Sequence, residues 1–140
     1  MTDCIFCKIV AKQIPSACIY EDEYTLAFLD IEPVFKGHSL IIPKEHHSVL
    51  AELPSALLNP FFSIVQQVSK AMESGLRAAG SFIAFNTHVG QMVPHVHAHV
   101  IPRHEQDGFQ GLFGPKHPYG SFEEKESFRK HLADALLVRK

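Results

Sequence analysis

Residues 94–104 read PHVHAHVIPRH, with histidines at 95, 97 and 99 and small apolar residues at 96, 98 and 100. Side chains alternate across a strand, so residues two apart share a face. The stretch 95–101 is therefore expected to be a strand. It would carry three imidazoles on one exposed face and turn Val96, Ala98 and Val100 to the core. A lone strand histidine is usually a satisfied structural residue, but three in register point to chemistry. A single metal site is a poor explanation for all three. Positions i and i+4 of a strand lie ~13 Å apart, whereas zinc needs its ligand nitrogens at ~2 Å. At least one histidine has another task. A neutral imidazole is a good nucleophile at phosphorus, and its phosphoramidate can then be hydrolysed. Flanking histidines and backbone N–H groups can stabilise the phosphoryl charge without a catalytic metal.

Outward from this stretch, the pattern alternates between short apolar runs and two helical stripes. CIFCKIVAKQI (4–14) places Ile5 and Ile9, with Phe6 and Val10, at helical spacing, stopped by Pro15 and Ser16. Residues 18–22 and 24–30 read as two short strands, and 38–44 as an apolar strand introduced by Gly37. The long stripe Phe61, Ile64, Val65, Val68, Ala71, Met72 and Leu76 predicts the principal helix, with Gly80 as its C′ residue. Its start has two solutions. Either Pro54 takes the first helical position and Pro60 kinks the helix, or Asn59 caps and Pro60 comes first. Residues 81–86 read as a strand and 108–120 as a Gly/Pro loop. Residues 121–137 read as a helix with Ser121 and Glu124 in capping-box spacing. Strands cluster before and after the long helix without strict βαβ alternation. The expected class is α+β, an antiparallel sheet of about five strands with one long and one C-terminal helix.

The 140 residues suit one domain, 1–140, able to bury a core. A net charge of −2 gives no reason to expect a nucleic-acid backbone or an anionic membrane as partner. No signal peptide and no membrane-length apolar run is visible. Three cysteines, an odd number, argue against a disulfide framework, with a reducing cytoplasm the default compartment. Cys4 and Cys7 form a C-x-x-C pair, open to three readings: buried thiols, a redox pair or half a zinc site.

HVHAHVI resembles the His-x-His-x-His signature of the histidine triad family of nucleotide hydrolases and transferases. The similarity extends over CIFCKIVAKQIPSACIYEDEYTLAFLDIEPVFKGHSLIIPKEH and GQMVPHVHAHVIPR, nearly residues 4–104. It implies a purine nucleotide substrate cleaved at the α-phosphorus and a sheet that often extends across a homodimer. His97 would be the nucleophile, His99 a charge-stabilising partner, and His38 the residue that orients the triad. Asp30 and Ile31 would meet the ribose and base. Asn86, Gly90 and Gln91 would hold the α-phosphate, with Gln91 over the bridging oxygen. Some members hold a structural zinc with the Cys pair, a histidine after the IIPK strand and the first triad histidine. Here these are Cys4, Cys7, His46 and His95, with His47 an equal candidate for the third place. No catalytic metal is implied.

Two departures stand out. Met92 follows the loop Gln where many members carry Ser or Thr. The loop NTHVGQ is also short, which loosens the assignment of Asn86. Arg103 and His104 read as surface residues, and the C-terminal loop offers no alignment. Two rivals share the features: a transferase or phosphorylase using the same intermediate, and a non-catalytic nucleotide-binding module, which Met92 favours.

Overall fold

The computed structural model describes residues 3–137. Strands β1 (Cys18–Glu21), β2 (Thr25–Leu29), β3 (Ser39–Pro43), β4 (Gly80–Ala84) and β5 (Ala98–Arg103) form one antiparallel sheet in the order β1-β2-β3-β5-β4. Helix α1 (Ile5–Val10) covers one face, and α2 (Ser55–Leu76) and α3 (Phe122–Leu137) cover the other. The α+β class and the five-strand antiparallel sheet agree with the sequence reading. Among the described residues, no helix is long and apolar enough to cross a membrane.

Both faces of β2 and β3 are buried, which is why TLAFL and SLIIP are nearly continuous apolar runs. Ala27, Leu29, Ile41, Ala98 and Val100 pack under α2, with Val96 continuing their row. Leu26, Phe28, Leu40 and Ile42 pack with Cys4, Phe6 and Ile9 on the other side. The α2 stripe Phe61, Ile64, Val65, Val68, Ala71 and Met72 is buried as its periodicity requires. Each of these side chains except Ala71 contributes roughly 1.5–3 kcal/mol on burial. In α1 it is Phe6 and Ile9 that are buried; Ile5, expected on the apolar stripe, faces solvent.

Both ends of α2 depart from expectation. Pro54 is the N-cap and accepts from the Leu57 N–H. Pro60 then lies inside the helix, where it deprives the Ala56 carbonyl of a partner; Ala56 is exposed, and water can replace it. The helix stops at Leu76, before Gly80. Arg77 takes the left-handed cap conformation (φ 60°), while the Arg77 and Ala78 N–H groups close the last turn on Glu73 and Met72. Gly80 instead opens β4. In α3, Ser121 Oγ accepts from the Glu124 N–H (3.0 Å) as a cap should. The Glu124 carboxylate reaches back one residue further than the usual box, to the Gly120 N–H.

Candidate active site and metal centre

The expected strand over 95–101 begins only at Ala98. A bend through His95 and irregular chain at Val96 and His97 lead into it, and their polar groups serve other partners. The Val96 N–H donates to the His47 carbonyl, and the His95 carbonyl accepts from the His97 ring. Alternation nevertheless persists across the junction. Val96, Ala98 and Val100 enter the α2 core, while the three histidines turn to the α1 side. That side is not exposed. His95 and His97 are buried, and the edge of Phe6 packs against both rings, with centroids at 5.8 and 5.1 Å.

Hydrogen bonds assign the tautomers, because carbonyls only accept and backbone N–H groups only donate. His97 Nδ1 lies 2.7 Å from the His95 carbonyl and must carry the proton, so its Nε2 is a free lone pair. The Val34 N–H donates to His38 Nδ1 (3.1 Å), which puts the His38 proton on Nε2. That N–H donates to His99 Nδ1 at 3.0 Å, so His99 carries its proton on Nε2. His95 Nε2 donates to the Pro43 carbonyl (2.8 Å), leaving Nδ1 unprotonated toward Cys4 Sγ (3.4 Å) and Cys7 Sγ (3.6 Å).

His38 owes its place to its neighbours in the chain. Gly37 has φ +101°, a conformation side chains avoid, and an added Cβ there would strike Leu76. The Gly37 N–H donates to the Tyr119 hydroxyl (2.9 Å). Asp30 Oδ2 stands 3.5 Å from His38 Nε2, and its Oδ1 accepts the Glu32 N–H (2.9 Å). Asp30, His38 and His99 thus gather three potential metal ligands. The His38 Nε2 proton, fixed by the Val34 N–H, makes this group a hydrogen-bonded chain rather than a ligand set.

The other group is different. Cys4, Cys7, His46 and His95 bring two sulfurs and two ring nitrogens within 4.8 Å of one another. His46 Nδ1 faces Cys7 Sγ at 3.3 Å, whereas His47 pairs with Glu45 at 2.6 Å; of the two candidates, His46 joins the cluster. Two thiols and two imidazoles are a zinc donor set, and the His95 N–H on Pro43 is the outer support such a ligand needs. These four residues could hold a metal ion.

Ile31 is exposed next to Asp30, and Asn86 and Gly90 lie in the loop before the triad. Gln91 is turned to structural use. Its amide donates to the Ser48 carbonyl (2.7 Å) and accepts the His88 N–H (2.9 Å), bracing the loop. Met92 projects into solvent. Arg103, read as a surface residue, is paired with Asp107 at 2.7 Å and stacks over Phe109.

The C-terminal loop, which the sequence does not align, borders the site. The His117 N–H donates to the Pro33 carbonyl (2.8 Å) and its Nδ1 to the Val34 carbonyl (2.6 Å). The Phe35 and His117 ring centroids lie 5.2 Å apart. These contacts join residues more than 80 positions apart, which no local pattern reveals.

Burial sets the charge state. Desolvation lowers the pKa of His38 to about 3 and that of His99 to about 4, aided by neighbouring positive charge, and raises that of Asp30. A histidine unfolded near 6.5 and depressed when folded leaves the unfolded chain binding more protons between the two values. Its stabilising contribution is complete above pH 6.5 and is lost as pH falls toward 4 and then 3. Each histidine held neutral contributes about 1.4 kcal/mol per pH unit in that window. Thermal melts are expected to be flat from pH 8 to 7 and to fall steadily from 6.5 to 5. A melting temperature constant down to pH 5 would contradict these assignments.

Comparison with known proteins gives a consistent picture. The HIT domain profile matches residues 11–106. Protein hit of Bacillus subtilis is 44% identical over 114 residues, 79% of each chain. An adenosine 5′-monophosphoramidase of Schizosaccharomyces pombe is 37% identical over 123 residues, 87% of this chain and 90% of its own. The crystal structure of a Zn-bound histidine triad family protein from Mycobacterium smegmatis matches with a TM-score of 0.85 at 34% identity, covering 97% of this chain and 94% of the other.

Proposed function

The chain belongs to the histidine triad (HIT) family, and from that premise we propose that it hydrolyses nucleoside 5′-phosphoramidates or dinucleoside polyphosphates at the α-phosphorus. The observation that carries this reading is the His97 tautomer. With Nδ1–H held on the His95 carbonyl at 2.7 Å, Nε2 is a preset nucleophile. Similarity to an adenosine 5′-monophosphoramidase supports the substrate class.

His97 Nε2 attacks the α-phosphorus; an N–P bond forms as the bond to the leaving group breaks. The positive charge then on the imidazole is met by the His95 carbonyl at Nδ1–H. The His99 Nε2–H, set by the His38 relay, donates to a phosphoryl oxygen. The amine or phosphate departs with the bonding pair and takes up a proton from solvent water. Water then attacks phosphorus and gives a proton back to solvent, the N–P bond breaks with its electron pair returning to Nε2, and the nucleoside monophosphate leaves a neutral His97. Asp30 accepts the ribose hydroxyls beside Ile31, and Asn86 and Gly90 border the α-phosphate. Gln91 holds their loop in place, and Met92 donates no proton to the leaving group.

Cys4, Cys7, His46 and His95 take a structural zinc, which would fasten α1 to the chain before β5 and keep Phe6 against His97. In this reading residues 1–140 act as one cytoplasmic domain. β1 and β4 are the edges of the sheet, and a second copy would extend it at one of them in a homodimer.

Incubation with adenosine 5′-phosphoramidate, with no divalent cation added, is expected to release AMP catalytically. A folded, nucleotide-binding protein that releases none, from this substrate or from a diadenosine polyphosphate, would contradict the proposal.

A further inference from the structure

The histidines that surround His97 bring no positive charge to an anionic substrate. His38 and His99 are held neutral at physiological pH, and the carboxyl nearest them is Asp30. A phosphate ester arriving there meets lone pairs, N–H groups and a carboxylate. The basic residues around the site are mostly committed elsewhere. Lys36 is paired with Glu124 at 2.8 Å and Arg103 with Asp107 at 2.7 Å, while Lys44 is paired with Glu21 at 2.8 Å.

Lys116 is different. It sits in the loop whose next residue, His117, is bonded to both the Pro33 and Val34 carbonyls. Val34 in turn donates to His38. Upstream in the same loop, Phe113 lies against Gly90, its ring 3.4 Å from where a Gly90 Cβ would stand. Downstream, the Tyr119 hydroxyl accepts the Gly37 N–H. The segment 113–119 thus runs from the 86–91 loop to the 33–38 turn, with Lys116 between its attachments. Its ammonium donates to the Leu112 carbonyl (2.8 Å), which fixes the side chain and leaves two N–H donors. Among the described residues, no carboxylate forms an ion pair with it. Its charge reaches into the site: it is among the causes that shift Asp30, His38 and His99.

We infer that Lys116 is a substrate-binding residue whose ammonium, held at the rim of the site by segment 113–119, engages the phosphate oxygens of the bound nucleotide. This rests on the nucleotide site proposed above but not on turnover. Lys116 supplies the cation that the neutral histidines do not. It should therefore discriminate by ligand charge, in favour of AMP over adenosine.

The test is calorimetric titration of wild type, Lys116→Ala and Lys116→Arg with AMP and with adenosine. Lys116 is exposed, and unchanged adenosine binding also reports an intact fold. The Ala variant is expected to bind AMP about tenfold more weakly, on the order of 1.4 kcal/mol, with adenosine unchanged. Arg should restore most of the AMP affinity. The salt dependence of AMP binding should be shallower in the Ala variant. An AMP-to-adenosine affinity ratio that is the same in wild type and Ala variant would overturn the inference, as would a wild type that binds no AMP. Normal discrimination by Lys116 in a protein that releases no AMP from phosphoramidate would refute the hydrolase and leave this inference standing.

Discussion

Replacing His97 with alanine or asparagine is expected to lower AMP release by at least about 10³-fold, the scale on which loss of a covalent nucleophile is felt. His97 is buried under Phe6, so the alanine variant leaves a cavity. The asparagine variant is the sharper test. Its amide can still donate to the His95 carbonyl, as Nδ1–H does at 2.7 Å, but it offers no nitrogen lone pair to phosphorus. Steady-state AMP release alongside a thermal melt separates the two effects. Lost activity with a retained melting temperature assigns the defect to chemistry. Activity within tenfold of wild type in either variant would remove His97 from the nucleophile's place.

Loss of the metal centre should act on stability before chemistry. The purified protein is expected to hold close to one zinc per chain, and Cys7→Ser to hold far less, both read by elemental analysis. Metal that binds only the folded chain, at a thousandfold excess over its dissociation constant, adds about 4 kcal/mol. For a chain of this length that is roughly 10 °C or more in melting temperature. The drop should appear in the variant and in chelator-treated wild type alike. The reason is geometric. Cys4 caps α1, Cys7 lies within it, His46 follows β3 and His95 precedes β5, so one ion would tie three separate segments. A metal-free wild type with the same melting temperature as the zinc-loaded form would contradict this.

The fold was largely legible because its core is written in two clean periods. The α2 stripe and the apolar β2 and β3 runs each state which face is buried. Boundaries were less legible where polar groups bond outside their own element. β5 starts three residues late because the groups of 95–97 bond to His47, Pro43 and one another. α2 ends early because Arg77 adopts the left-handed cap without being glycine. In the site, spacing alone leaves His46 and His47 equivalent; the contact of His46 with Cys7 and that of His47 with Glu45 separate them. The resemblance puts Gln91 over the bridging oxygen; the bonds of its amide to Ser48 and His88 are visible only in the structure. The C-terminal loop offers no alignment, because the contacts that bring His117 and Tyr119 to the site join residues more than 80 positions apart in a segment with no period of its own.

Two successive displacements at one phosphorus atom are the central claim, and stereochemistry reads them most directly. The substrate would be an adenosine 5′-phosphorothioate derivative of known configuration, turned over in ¹⁸O-labelled water, with the configuration of the product determined. Attack by His97 followed by attack by water inverts the centre twice, so net retention is the expected result. Net inversion would mean that water attacks directly, and His97 would then have to be recast as its general base.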